Sequence, residues 1–328
     1  IIIKMSRAAE TLAGIPLSTR CIMGLCILTY AYQLFFDPPL QNYTMCPRNV
    51  LYKHEYYRVI TSSLFHGSLM HIGMNMMSTM AIGAMLEKEI GTLMMGITIS
   101  WGILLTSFIY VFISWFLFVA FGYEQMMLQH SVGFSGVIFQ LSVLESSLSP
   151  NRTRSVFGVF QVSSKMYPWA LLVVLQFIMP QISFLGHLSG ILIGTLQYYG
   201  VLDILFPSET YLQQCEMSER LEILRRQPGY VIAPETSPRR EARPDIRSSL
   251  LGSFGYITLF VKNVCETIKV CIFGRGADAN ANIQLGDLGA AWGSSADNTA
   301  TGAGTIAQGN VEDDEEWVGL PAAIQRST

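Results

Sequence analysis

The stretch Gly186-His-Leu-Ser-Gly-Ile-Leu-Ile-Gly194 opens the last long apolar run of the chain and sets a histidine among small and apolar residues. Gly190 and Gly194 lie four positions apart, so in a helix they share one face, on the same side as His187. Inside a membrane, such a GxxxG face lets a second helix approach closely. An ionisable residue at such a position is costly and marks a candidate functional site. The stretch therefore predicts a closely packed transmembrane helix that carries His187 near its start.

Two earlier apolar runs begin with similar polar groups. One opens with His66-Gly-Ser-Leu-Met-His71 and continues to Asn75, and the other opens with His130-Ser-Val-Gly-Phe-Ser135-Gly136. His71 and Asn75 are spaced i, i+4, so both side chains lie on one face of a helix. The glycines around Ser135 leave its backbone open to close approach. Ser135, His71 and Asn75 therefore join His187 as candidate site residues.

The composition is that of a membrane protein with a polar extension. Half of the 328 residues are hydrophobic and 14% are charged, whereas a soluble domain carries about a quarter charged residues. Apolar runs dominate up to Phe206, and the remaining chain is rich in Gly, Ala, Ser and Asp. We therefore predict a membrane domain over residues 1–206 and a cytosolic, mostly disordered tail over 207–328.

Six apolar runs are candidate membrane spans, so the predicted fold is an all-α membrane protein with a six-helix bundle. The runs cover residues 20–36, 66–86, 93–121, 135–148, 166–179 and 185–206. The first lacks a small-x-small cleavage site, which favours an uncleaved span over a signal peptide. Basic residues concentrate before the first run and in the loops after the second and fourth, which places both termini in the cytosol.

This orientation brings the polar groups together. Spans two, four and six then all run inward from the non-cytosolic side, so Ser135, His187 and the His71/Asn75 pair lie at a similar shallow depth. A serine hydroxyl is a weak nucleophile that a neutral histidine activates as general base. The oxyanion formed by attack on a peptide carbonyl needs fixed donors, and His71 and Asn75 are suitable. The sequence thus predicts a serine peptidase with a Ser–His dyad.

Each of these features also has a simpler interpretation. Serine and glycine in membrane helices are usually packing residues, a lone histidine commonly joins a polar network, and Asn75 alone could bridge two helices. A channel or proton-coupled transporter is disfavoured because no carboxylate lies deep in a span; Glu87 and Glu89 sit at a span end. The six cysteines show no CxxC spacing, so we expect mostly free thiols and no metal. We expect no cofactor and no nucleic-acid partner.

The ordered set of motifs resembles the rhomboid family of intramembrane serine proteases over roughly residues 20–206. The matching positions are Tyr57-Arg58, His66, His71, Asn75, Glu87, Gly133-Phe-Ser-Gly136 and the stretch from Gly186 to Gly194. The resemblance implies that Ser135 is the nucleophile, His187 the general base, and His71 and Asn75 the oxyanion donors. It also implies transmembrane proteins as substrates and the lipid bilayer as the surrounding partner.

Two positions depart from the family pattern, and one phrase points to a subfamily. Tyr57 replaces the commoner tryptophan, and Phe139 stands where many members have tyrosine, although phenylalanine can still stack on His187. The phrase Val132–Phe139 and the long tail are most similar to the rhomboid-domain-containing-1 subfamily. That similarity implies residence in the endoplasmic reticulum and membrane-protein quality control. The main alternative is an inactive, derlin-type client-binding protein; such relatives typically lack the serine or the histidine.

Three further predictions concern the ends of the chain. Residues 249–273 have apolar residues at near-helical spacing, which fits an amphipathic helix on the membrane surface or a short docked helix. The segment 317–327, after an acidic run, resembles a ubiquitin-interacting helix; its Trp317-Val-Gly-Leu320 part alternatively resembles an adaptor-binding strand. A solvated acidic end is the third interpretation. Residues 1–4 precede Met5, which is a candidate start.

Overall fold

The computed structural model describes residues 13–148, 153–156 and 158–234. In chain order its helices are α1 (Leu17–Phe36), α2 (Pro47–Tyr52), α3 (Arg58–Leu64), α4 (Leu69–Ser78), α5 (Ala84–Ile90), α6 (Thr92–Phe121), α7 (Glu124–Leu128), α8 (Ser135–Leu148), α9 (Tyr167–Ile178), α10 (Phe184–Tyr198), α11 (Glu209–Met217) and α12 (Glu222–Arg225). The predicted features at 1–4, 249–273 and 317–327 lie outside the described residues.

Among the described residues, three helical segments are long and apolar enough to cross a membrane. They are α1, the segment Leu69–Ile90, and α6. In the second, a π-helical turn at Thr79–Gly83 joins α4 to α5. Helix α6 has 30 residues, which gives it a length of about 45 Å and lets it tilt in a hydrocarbon core of about 30 Å. These segments coincide with the first three predicted spans and confirm a helical membrane protein.

The remaining membrane helices are shorter. Helix α8 has 14 residues, most of them buried, and its length of about 21 Å is less than the thickness of the hydrocarbon core. Such a helix is enclosed by its neighbours rather than by lipid. Helix α10 is long and apolar enough to cross a membrane only when it is taken together with Asp203–Met217. The two segments are bent by 89° relative to each other. The number of six spans stays a prediction.

A β-hairpin interrupts the predicted all-α architecture before α9. Strand β1 (Thr153–Val156) pairs antiparallel with β2 (Phe160–Ser163). Arg154 forms an ion pair with buried Glu145 near the end of α8. Its guanidinium also lies 5.5 Å from the ring centre of Tyr167, the first residue of α9. The hairpin therefore ties the end of α8 to the start of α9.

The start of α1 is capped by a side chain from α5. Pro16, at the N-cap, offers no side-chain acceptor. Instead, the fully buried carboxylate of Glu87 accepts the main-chain N–H groups of Ser18 at 2.8 Å and Thr19 at 2.7 Å. It also accepts the hydroxyl of Thr92 at 2.7 Å. A carboxylate satisfies the free N–H groups of a helix start and interacts favourably with the helix dipole.

Residues that we assigned to the tail pack against this cap. The carbonyl of Gly229 accepts the N–H of Leu17 at 2.9 Å. Val231 accepts the N–H of Thr92 at 2.8 Å and donates its own N–H to the Thr92 hydroxyl at 2.9 Å. Described residues beyond 206 thus pack against the helical domain. The domain boundary at 206 stays a prediction.

Helices α8 and α10 form the most extensive helix–helix contact among the described elements. A Cβ atom on Gly190 would lie 1.9 Å from the carbonyl oxygen of Gly136, and one on Gly194 would lie 2.8 Å from that of Gln140. Both distances are too short for real atoms, so the two backbones are in direct contact. The predicted GxxxG face is confirmed, and it brings the first turns of the two helices together.

Candidate active site

Ser135 and His187 lie in the first turns of α8 and α10 and face each other. Nε2 of His187 is 2.8 Å from Oγ of Ser135. The histidine is only 6% exposed. Its other ring nitrogen, Nδ1, is buried and has no hydrogen-bond partner among the described residues. The arrangement is therefore a dyad, with no third group of the described chain on Nδ1. In the neutral tautomer protonated at Nδ1, Nε2 accepts the serine hydroxyl.

Packing orients the imidazole of His187. The ring of Phe139 stacks on it, with 4.6 Å between ring centres and 29° between the ring planes. Phe139 follows Ser135 by one helical turn, so the two side chains share a face of α8. Ser183 caps α10 by accepting the N–H of Gly186 at 3.1 Å, which fixes where the helix begins. As expected, phenylalanine at this position provides the stacking ring.

His71 and Asn75 of α4 lie beside Gly133, which precedes Ser135 by two positions. Gly133 has a φ of 113°, a conformation that favours glycine. A Cβ atom there would lie 2.7 Å from Nε2 of His71 and 3.3 Å from Nδ2 of Asn75. Nδ2 of Asn75 is buried and has no hydrogen-bond partner among the described residues. Asn75 and Ser135 line one cavity, so this amide can donate to a group bound there.

The tautomer of His71 follows from its neighbour. The main-chain N–H of Gly67 donates to Nδ1 of His71 at 3.4 Å. Because Nδ1 accepts this bond, the proton of the neutral ring is on Nε2. Nε2 is the atom that faces Gly133. His71 is therefore arranged as a second donor toward the backbone beside Ser135.

A cavity of about 410 Å³ contains the four predicted site residues. Its walls include side chains from two apolar helices. Met70, Met74 and Ser78 come from α4, and Leu171 and Leu175 come from α9. The cavity is thus polar where Ser135 and its neighbours lie and mostly apolar between α4 and α9. A mostly apolar cavity with a few polar groups at one place is typical of binding sites.

The segment before Ser135 is held by the loop after α1. Ser131 exchanges two main-chain hydrogen bonds with Met45, at 2.8 and 2.9 Å. Thr44 Oγ1 lies 2.6 Å from Nδ1 of His130. Arg58, which is buried, donates to the carbonyl of Thr44 at 2.7 Å. These bonds fix the path of the chain into α8.

The pKa values of two ionisable groups in this loop region are lowered by their surroundings. The hydrogen bond from Arg58 holds the pKa of Glu55 below its usual value. Burial lowers the pKa of His130, so its ring is neutral at pH 7. The sequence marked Tyr57-Arg58 only through the family resemblance and gave it no role. In the structure, Arg58 holds this loop in place by donating to its main-chain carbonyl groups. No periodic pattern in the sequence predicts such bonds.

The Rhomboid domain matches residues 53–204 of this chain, a range that includes all four predicted site residues. Residues 53–204 of the chain are a Rhomboid domain. The resemblance stated from the motifs is thereby confirmed. The family also accounts for the apolar helices, since rhomboids are membrane proteins. The roles of the individual site residues stay predictions at this point.

Several relatives are similar to this rhomboid over much of its length. It is 31% identical over 242 residues to "Rhomboid-like protein 15" of Arabidopsis thaliana, which covers 71% of this chain and 59% of that protein. It is 31% identical over 170 residues to "Rhomboid-related protein 4" of Mus musculus, which covers 51% of this chain and 54% of that protein. It is 28% identical over 236 residues to "Rhomboid-type serine protease 2" of Gibberella zeae, which covers 70% of this chain and 84% of that protein. The chain thus spans little more than half the length of the first two relatives.

Proposed function

We propose that this rhomboid is an active intramembrane serine protease that cleaves transmembrane proteins through Ser135 and His187. The observation that carries the proposal is the 2.8 Å contact between Oγ of Ser135 and Nε2 of His187. Next to it lie the Nε2 of His71 and the unpartnered Nδ2 of Asn75. A nucleophile, a base and two donors in one cavity are the parts that acyl transfer requires. The name of the Gibberella relative, a serine protease, supports the same chemistry.

The reaction starts with attack of Ser135 Oγ on the scissile carbonyl carbon while His187 Nε2 takes the hydroxyl proton. The carbonyl electrons move to oxygen, and the resulting oxyanion accepts hydrogen bonds from His71 and Asn75. The Ser135 N–H is a third donor, because the first N–H groups of a helix have no intrahelical partner. Collapse of this intermediate breaks the C–N bond, and His187 protonates the leaving amine. Water then hydrolyses the acyl-enzyme by the same route.

We propose transmembrane protein segments as substrates. The apolar side of the cavity lies between α4 and α9, two helices with exposed apolar side chains. A substrate helix in the bilayer would approach this side of the cavity across the exposed apolar side chains of the two helices. Once unwound there, its backbone is exposed to the Ser135 side of the cavity. A cleavable site in an extended, locally unfolded segment is the expected form of substrate.

For the cellular setting, we propose the endoplasmic reticulum, with both termini in the cytosol and the dyad toward the lumen. The distribution of Lys and Arg over the loops supports the orientation. The resemblance to the rhomboid-domain-containing-1 subfamily supports the organelle and a role in membrane-protein quality control. Binding of ubiquitin or an adaptor at 317–327 remains a proposal from sequence order alone.

The first prediction concerns the dyad. Ser135→Ala and His187→Ala each abolish cleavage of a fluorescent single-span substrate in liposomes, and the double variant is no worse, because nucleophile and base act as one unit. Substantial turnover by Ser135→Ala would contradict the mechanism. A wild-type protein that binds the substrate without cleaving it would instead support a derlin-type, client-binding function.

The second prediction concerns the donors. His71→Ala and Asn75→Ala lower turnover by roughly 10- to 1,000-fold, since the Ser135 N–H remains as a donor. The measurement is kcat in liposomes, together with the melting temperature of each variant in detergent. If the two residues only join helices, the melting temperature falls while the folded fraction keeps wild-type kcat, and the proposed oxyanion role is wrong.

The third prediction concerns orientation. In sealed microsomes, an epitope at Thr328 is digested by added protease, whereas an epitope inserted beside Asn42 is protected. Asn42 is exposed and begins an Asn-x-Thr sequon, so its glycosylation, removed in Asn42→Gln, is an independent sign of a lumenal position. Digestion of the epitope at Asn42 in sealed vesicles would reverse the proposed orientation.

A further inference from the structure

Gln33, in the last turns of α1, makes a two-point contact with the main chain of His66. Its Nε2 donates to the carbonyl of His66 at 2.9 Å. Its Oε1 accepts the N–H of the same residue at 3.1 Å. The carboxamide therefore fixes both main-chain groups of one residue, as a neighbouring strand would. His66 lies in the connection between α3 and α4, immediately before the helix that carries His71 and Asn75.

The peptide group held by Gln33 is also the one that binds His71. The carbonyl of His66 and the N–H of Gly67 belong to a single peptide unit, which is planar. Gln33 holds the carbonyl side of this unit. The N–H side donates to Nδ1 of His71 at 3.4 Å. Because the unit is rigid, fixing the carbonyl also fixes the direction in which the N–H points.

The environment of His66 gives this peptide little freedom to turn. His66 is 1% exposed. Its Nδ1 lies 3.0 Å from the carbonyl oxygen of Leu64. Its ring packs edge-on against that of His71, with 5.2 Å between ring centres. The side chain of His66 is thus held on the α3 side and its main chain on the α1 side.

We propose that Gln33 is a positioning residue for the oxyanion donor His71. By orienting the His66–Gly67 peptide, it keeps Nδ1 of His71 as an acceptor and Nε2 as the protonated nitrogen that faces Gly133. The proposal rests on the proposed protease function for its kinetic effect, but the effect on the tautomer of His71 is independent of activity. A purely structural role, in which Gln33 only joins α1 to α4, is the alternative that the experiment separates.

The kinetic test is a double-mutant cycle between Gln33→Leu and His71→Ala, measured in liposomes. Gln33→Leu is expected to lower kcat about tenfold with little change in KM, and to cause no further loss when His71 is already alanine. Gln227→Leu is the matched control, because its Nε2 also donates to a main-chain carbonyl, that of Ile223 at 3.1 Å, in an exposed setting. The proposal is overturned if Gln33→Leu lowers kcat by the same factor in the His71→Ala background as in the wild type. It is also overturned if Gln33→Leu does not lower kcat in the wild-type background.

The second measurement reads the tautomer without turnover. In protein labelled with ¹⁵N-histidine, with His71 assigned by its loss in His71→Ala, the side-chain shifts are expected to report Nε2–H in the wild type and in Gln227→Leu. Gln33→Leu is expected to add a population with Nδ1–H. An unchanged His71 spectrum in Gln33→Leu overturns the proposal even in an inactive protein. If the wild-type protein does not cleave the substrate, the proposed function is contradicted. The measurement of the His71 tautomer still tests the role of Gln33 in that case.

Discussion

Direct contact between the backbones of α8 and α10 holds the site together. The contact leaves no space for a side chain at position 190, because a Cβ atom on Gly190 would lie 1.9 Å from the Gly136 carbonyl oxygen. Ser135 immediately precedes Gly136, and His187 lies three residues before Gly190 on the same face of α10. A separation of about 1 Å between the helices would therefore take the 2.8 Å contact of the dyad beyond hydrogen-bond distance.

Other polar groups complete the site from elements outside this helix pair. The loop organised by Arg58 fixes the chain entering α8, and the peptide held by Gln33 leads to His71. Each is a bond between a side chain and a main-chain group, so the donors are set before a substrate arrives. Fixed donors stabilise developing charge without reorganising, which is the main source of catalysis in acyl transfer. In the proposed mechanism, the unpartnered Nδ2 of Asn75 is a donor whose acceptor forms only during reaction.

The sequence predicted the parts of the fold that depend on periodic apolar residues. The three long segments, the glycine face of α10 and the approach of Ser135 to His187 follow from apolar runs and their parity. The hairpin at 153–163, the packing of residues 228–233 on the start of α1 and the contacts of Arg58 and Gln33 were not predicted. They depend on single side chain-to-main chain bonds between residues distant in sequence, and such bonds leave no periodic pattern.

The most direct test of this account compares Gly190→Ala with Gly24→Ala, since a Cβ atom on Gly24 would meet no atom within 4 Å. The measurement is the rate at which a fluorophosphonate labels Ser135 in folded protein, with the modified residue identified by mass spectrometry. Because misplacement by about 1 Å can cost a factor on the order of 100, Gly190→Ala is expected to label about 100-fold more slowly than wild type, and Gly24→Ala at the wild-type rate. Labelling of folded Gly190→Ala at the wild-type rate would contradict the claim that this helix contact creates the dyad.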